Sequence, residues 1–261
     1  MRIIISPAKQ MRMDTDTFTC TEVPVFIEKI GILKDWISGL SYEEQKTLWA
    51  CNDKIAKQNA ERFADMDLHR NLTPALLAYD GIQYTYMAPA VFEDGQFDYV
   101  QEHLRILSGF YGVVKPMDGV VPYRLEMQAK AAVARCRNLY DFWGDDLYRE
   151  VMDDSRVLIN LASKEYSKCI EKYLQPEDRY ITCVFGELEG GKVVQKGVYA
   201  KMAEARWYVS WPASMSMNRS RLKLSTGAVI ILMRAGHLIR NMSLFGQKFL
   251  ERNESLEIMA L

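Results

Sequence analysis

Two short apolar runs set the frame for this chain. Arg2-Ile3-Ile4-Ile5-Ser6 is β-branched and continuously apolar, and Pro7 closes it. Val157-Leu158-Ile159-Asn160-Leu161 repeats the pattern far downstream. Runs this short and this apolar read as buried strands, and each opens into a polar loop carrying Ser6 and Lys9 or Asn160 and Ser163. Helical signals lie between and around them. Ser41-Tyr42-Glu43-Glu44 is a capping box that opens a polar–apolar helix running to Phe63. Phe97, Val100, Leu104 and Leu107 share one face of a helix over 97–107. Ser163 is placed to cap a helix after the second strand. Ala75–Tyr79 reads as a further strand with Asp80-Gly81 as its turn, and Gly190-Gly191 as the turn of a hairpin between Tyr180–Phe185 and Val193–Tyr199. Alternation without strict regularity predicts one mixed α/β domain, a mixed sheet flanked by helices.

Composition narrows the setting. Lys+Arg is 33 and Asp+Glu is 34, a net charge of −1, so the overall charge favours no partner. Five cysteines stand far apart with no C-x-x-C pair, which points to reduced thiols in a cytoplasmic protein. The three histidines lack metal-ligand spacing, so no metal site is expected. Residues 1–7 are too short for a signal-peptide core, and the apolar run 227–233 is too short to span a bilayer.

Three segments carry candidate chemistry. In His103–Pro116, Gly109 and Gly112 flank Phe110-Tyr111, with Arg105 and Lys115 at the two sides. Glycines allow close approach to a phosphate, and the two cations could add charge-assisted contacts. On spacing alone the layout reads first as a helix end and an ordinary turn, and alternatively as a helix-hairpin-helix gripping a DNA backbone. In Pro122–Met127 the alternation predicts a strand with Arg124 and Glu126 on one face, either a phosphate site oriented by Glu126 or a surface ion pair. Asn160–Tyr166 lies where a strand meets a helix, which suits an anion or simply an N-cap at Ser163.

Taken together, Ile5-Ser6-Pro7-Ala8-Lys9, His103–Gly109 with Tyr111-Gly112, Pro122–Met127, Leu139–Gly144, Asn160–Ser163 with Glu165-Tyr166, and Tyr199-Ala200-Lys201 resemble the bacterial YaaA peroxide stress family in order and spacing. Lys115 stands where that family usually has Arg, and Phe110 where it usually has Leu. The resemblance covers residues 1–203. It implies a single-domain fold of that family's type and a cytoplasmic monomer that helps cells survive hydrogen peroxide. It further implies backbone binding of duplex DNA through a basic cleft and a helix-hairpin-helix, without cofactor and without catalysis. The DNA-binding set it implies is Lys9, Arg105, Gly109, Tyr111, Gly112, Lys115, Arg124 and Lys201, with Ser6, Asn160 and Ser163 in the cleft. An enzyme acting on a nucleotide or nucleic acid at Ser6, Lys9, Arg124, Asn160 and Lys201 is the competing expectation.

Past Ala203 the resemblance stops. The family pattern A-R-G-x-M and a later F-x-x-x-G-Y-x-F are both missing. Residues 205–250 contain no Asp or Glu, a gap that average composition produces roughly once in several hundred. Residues 204–261 hold eight Lys+Arg against four Glu, a net +4, while residues 1–203 carry −5. The genetic code accounts for this. Glu204–Pro212 can be encoded so that a one-nucleotide shift gives R-G-E-M-V-R-F-M-A, and the stretch around Leu224–Met233 shifts to T-F-N-R-R-G-Y-N-F-D. Trp207, Trp211 and Met233, which have single codons, all comply. A frameshift near codon 203 is therefore expected, dividing the chain into a family domain (1–203) and an out-of-frame tail (204–261). Such a tail should not complete the fold, and the run 227–233 should be exposed or docked opportunistically.

Overall fold

The computed structural model describes residues 1–189, 192–194, 229–234 and 237–242, with side chains through Cys183 except that of Asp94. In chain order the elements are β1 (Arg2–Ile5), β2 (Gln10–Met11), α1 (Ile27–Ser38), α2 (Tyr42–Trp49), α3 (Asp53–Ala64), β3 (Thr73–Pro74), α4 (Ala75–Ala78), β4 (Tyr79–Asp80), α5 (Ile82–Met87) and α6 (Asp94–His103). There follow β5 (Leu104–Ser108), β6 (Gly112–Val114), β7 (Gly119–Val120), α7 (Leu139–Trp143), α8 (Asp146–Val151), β8 (Val157–Asn160), α9 (Lys164–Glu171), β9 (Arg179–Glu189), β10 (Lys192–Val194), β11 (Val229–Arg234) and β12 (His237–Met242).

The central sheet runs β12-β11-β9-β8-β1-β5-β6, with β10 also on β9. The pairs β9–β8, β8–β1 and β1–β5 are parallel. Both apolar runs are where the sequence puts strands, side by side in register Ile3↔Ile159. Their composition explains the position: Ile3, Ile4 and Ile5 are at most 1% exposed, as a strand covered on both faces requires.

Local signals were overridden at four places. The helix expected over 97–107 ends at His103, and Leu104–Ser108 is strand β5, paired Leu104↔Ile3 and Ile106↔Ile5. Burial of the whole run against β1 outweighs its helical spacing. The helix expected to run unbroken to Phe63 is divided at Ala50, which adopts φ 45°, after which Asn52 caps α3 by accepting from the Ile55 N–H at 3.0 Å. Ala75–Ala78 is a helical turn, not a strand; only Tyr79–Asp80 is extended, pairing with β2. Pro122–Glu126 forms no regular element and Met127 opens a turn, so the strand expected there is absent among the described residues. The capping box holds, with the Glu44 carboxylate accepting from the Ser41 N–H at 2.8 Å, as does the β9–β10 hairpin, Lys192↔Glu189.

The expected helix-hairpin-helix is corrected outright: residues 104–114 are a β-hairpin, β5–β6, with Ser108↔Gly112 as its closing pair. Two helices cannot form there because both arms are sheet strands. Beyond the family-like region, β11 lies antiparallel on β9, Ile231↔Val184, and β12 on β11. Of the apolar run 227–233, Val229–Met233 belongs to this docked strand, and residues 227–228 lie outside the described residues.

The hairpin's outer side meets the aromatic core. Gly112 has φ +73° and lies where a Cβ would come within 2.9 Å of the Trp143 ring. Both conditions exclude a side chain there. Trp143, Phe63, Phe110, Tyr111 and Tyr79 are the largest fully buried side chains, and the Phe63–Phe110 edge-to-face pair has centroids 5.4 Å apart.

One buried carboxyl opposes the fold. Asp118 is 2% exposed, and its Oδ2 accepts the Lys115 N–H at 2.8 Å. Its surroundings are Lys115, Glu22, Arg105 and the Cys20 thiol. Burial, only partly offset by the Lys115 N–H and the charge of Lys115, raises its pKa from 3.8 to about 6. A carboxyl raised on folding binds protons more tightly in the native state. Its contribution is therefore full below the unfolded value, falls between about pH 4 and 6, and stays lost above. The loss is about 2–3 kcal/mol. Asp118→Asn keeps an acceptor for Lys115, so relative to wild type it should gain stability at pH 7 and little at pH 4. Urea unfolding of both proteins at the two pH values checks this; an equal difference at each pH contradicts it.

Candidate functional site

β1 and β8 are adjacent and parallel, yet the chain leaves β1 toward β5 on one side and β8 toward β9 on the other. In α/β sheets, diverging connections of this kind mark the carboxyl ends of the two strands as the place where ligands are held. Ser6 and Ser163 face each other there. The Ser163 N–H donates to Ser6 Oγ at 2.8 Å, and Ser6 Oγ donates to Ser163 Oγ at 3.2 Å. Tyr84 Oη–H donates to the Ser6 carbonyl at 2.9 Å. Asn160 closes the floor: its Oδ1 accepts from the Ala162 N–H at 2.9 Å and its Nδ2 donates to Thr182 Oγ1 at 3.3 Å. Ser163 precedes α9, but its side chain makes no capping bond; it is spent on Ser6.

A charged rim joins this floor. Lys9 Nζ lies 2.8 Å from Glu126 Oε1, and the Arg124 guanidinium lies 2.9 Å from the same oxygen. Gln128 donates through Nε2 to Glu126 Oε2 at 3.4 Å and through its N–H to Glu165 Oε1 at 3.2 Å. Glu165 stands two residues after Ser163, and Lys9 three after Ser6, so two short chain segments join these contacts into a ring. Burial alone would raise the Glu126 carboxyl, but the hydrogen bond and charge of Lys9, with Gln128 and Arg124, outweigh it and hold its pKa below the usual value. Two cations thus share the Glu126 carboxylate, and Glu165, the second carboxylate of the ring, balances the remaining positive charge. Lys9 is 67% exposed, Arg124 only 15%.

The structure therefore brings together Ser6, Lys9, Arg124, Asn160 and Ser163, as the sequence suggested. Gln128 and Glu165 complete the ring, Tyr84 supports it from outside through the Ser6 carbonyl, and none of the three was anticipated, because each meets its partner across a long sequence separation with no local motif to mark it. The other expected residues face elsewhere. Arg105 is 4% exposed and donates to the carbonyls of Gln101, Glu102 and Leu104 at 3.1, 3.1 and 2.7 Å. It closes the end of α6, and burial lowers its pKa to about 10. Lys115 pairs with Glu22 at 2.8 Å. Tyr111 is buried, accepting from the Val121 N–H at 2.9 Å. Gly109 and Gly112 pack against backbone and Trp143. The hairpin is thus no phosphate nest, a consequence of its being sheet. Lys201 lies outside the described residues. Among the described residues no group of His, Cys, Asp and Glu could hold a metal ion, and no helix is long and apolar enough to cross a membrane.

Fold and site define an α/β protein with a polar, charge-paired site at the carboxyl ends of the parallel strands of a mixed sheet. A family model described as peroxide stress protein YaaA matches residues 1–207. A UPF0246 protein of Agathobacter rectalis is 62% identical over 203 residues, 78% of this chain and 82% of that protein. One from Desulfitobacterium hafniense is 59% identical over 203 residues, 78% and 81%. One from Pediococcus pentosaceus is 48% identical over 223 residues, 85% and 89%. The chain belongs to the YaaA peroxide stress family.

Proposed function

We propose that this peroxide stress protein acts in the cytoplasm as a monomer that binds the backbone of duplex DNA at the β1–β8 site, not at the β5–β6 hairpin. The observation that carries this reading is the sharing of Glu126 by Lys9 and Arg124. The two cations stand beside hydroxyls and amides, the donor set that holds phosphate without reading bases. Lys9→Ala with Arg124→Ala should weaken binding of unrelated duplexes alike and lower the salt slope by about two. Lys115→Ala should leave both unchanged. Fluorescence anisotropy over a salt series is the measurement, and wild-type binding by the double variant would sink the proposal.

A second reading, an enzyme acting on a nucleotide or nucleic acid, is favoured by the ring of contacts around an ionised carboxylate. Conversion of labelled oligonucleotides or nucleotides by the wild type, lost in Glu126→Gln, would establish it.

Protection against peroxide is not assigned to thiol chemistry. None of the five cysteines is in a disulfide, and burial raises the pKa of Cys20, of Cys51 and, to about 12, of Cys169. Thiolate is the reactive form, so these three should react with hydrogen peroxide no faster than a free cysteine near pH 7. Mass spectrometry of sulfenic acid trapping checks this, and faster labelling at any of the three contradicts it.

We further propose that residues 204–261 are read out of frame. The family match ending at residue 207 and the acid-free composition support this. Resequencing codons 195–215 tests it, and an unbroken frame refutes it.

A further inference from the structure

The two glycines of the β5–β6 turn meet different neighbours. A Cβ on Gly109 would lie 2.5 Å from the Leu125 carbonyl oxygen and 2.9 Å from the Glu126 carbonyl carbon and the Met127 nitrogen. All three are backbone atoms, so no side-chain rotation relieves the contact. The chain passing over Gly109 is the segment that carries Arg124 and Glu126. That segment has no strand partner among the described residues, so its position must come from elsewhere.

Its other supports converge on the same turn. The Trp143 indole N–H donates to the Gly109 carbonyl at 3.1 Å and fixes the turn from behind. Ser108 Oγ accepts from the Phe110 and Tyr111 N–H groups at 3.2 and 2.8 Å. The same oxygen lies 2.6 Å from the Tyr123 hydroxyl, which also meets Tyr79 Oη at 3.1 Å. Asn59 Nδ2 donates to the Arg124 carbonyl at 3.0 Å. Arg124 is thus held on both sides, by Tyr123 before it and by the Leu125–Met127 backbone seated on Gly109 after it.

We propose that Gly109 is a positioning residue for the β1–β8 site: its missing side chain is the seat of the Leu125–Met127 backbone, and through that seat it aims Arg124 and Glu126 at the phosphate-binding rim. The glycine turn serves a ligand site without touching the ligand. The effect on DNA rests on the binding function proposed above; the aiming of the two side chains does not.

The test uses the full chain with Gly109→Ala. Circular dichroism and a cooperative thermal transition report folding. Titration with a duplex should show affinity lowered at least about tenfold and a salt slope smaller by about one, for the contact Arg124 no longer makes. A lower folded fraction would reduce active protein without changing the slope, so the slope separates positioning from simple destabilisation. Glu126 supplies a readout independent of DNA. Followed by carboxyl carbon NMR, it should titrate below the usual carboxylate value in wild type and return toward that value in the variant. A folded Gly109→Ala protein with unchanged Glu126 titration overturns the proposal. If wild type binds no duplex while the Glu126 change appears, the positioning role stands and the DNA reading falls. If Gly109→Ala does not fold, Tyr123→Phe, which removes only the hydroxyl tied to Ser108, takes its place. It is expected to shift Glu126 in the same direction by a smaller amount, and no shift overturns the proposal.

Discussion

Trp143→Ala is expected to cost about 3–5 kcal/mol, the range for truncating a fully buried large aromatic residue. Trp143 is 0% exposed. Its ring fills the space left by Gly112, its N–H satisfies the Gly109 carbonyl, and it packs against Phe26 and Phe142 at centroid distances of 5.7 and 5.0 Å. Truncation therefore opens a cavity and orphans a buried carbonyl together. Against a total stability of about 5–15 kcal/mol this removes a large share. Urea unfolding should show the midpoint falling accordingly; a loss below about 1 kcal/mol would mean that the hairpin is not held as described. Trp143→Phe keeps most of the volume and should lose less, which separates the cavity from the hydrogen bond.

Restoring the proposed reading frame after codon 203 is expected to stabilise the protein. The segment placed on β9 is the run Val229–Arg234, which lies in the tail proposed to be out of frame. Its outer neighbour β12 forms the sheet edge, and an unselected edge strand is an aggregation hazard. The frame-corrected chain should melt at least about 5 °C higher, the shift that roughly 1–2 kcal/mol gives a protein of this size. It should also stay monomeric at concentrations where the present chain self-associates. Calorimetry and light scattering on the two chains decide this; equal melting and equal association would argue that the tail is a genuine, selected part of the fold.

What the sequence disclosed follows from how local each signal is. β1 and β8 were legible because three consecutive isoleucines, or Val-Leu-Ile, admit little besides a strand covered on both faces. The α2 cap was legible because Ser41 and Glu44 satisfy each other within one turn. β5 was not, since Leu104 and Leu107 fall at helical spacing from Phe97 and Val100, and only pairing with β1 decides between the two. The misreading of Gly109 and Gly112 has the same origin. Two glycines signal that something approaches closely, but the sequence does not say whether it is a phosphate, a tryptophan or another stretch of backbone. In the β1–β8 site, residues on strand ends were found because strand ends are predictable. Gln128 and Glu165, 37 residues apart, meet only once the fold brings the Pro122–Gln128 segment to α9.

The central claim is that duplex DNA lies on the site at the ends of β1 and β8. Hydrogen exchange of backbone amides, with and without a saturating duplex, reads this residue by residue. The account predicts added protection at 6–9, 124–128 and 163–165, weakening as salt is raised, and no change at 109–115. Protection centred on 109–115, with the β1–β8 site unaffected, would contradict it.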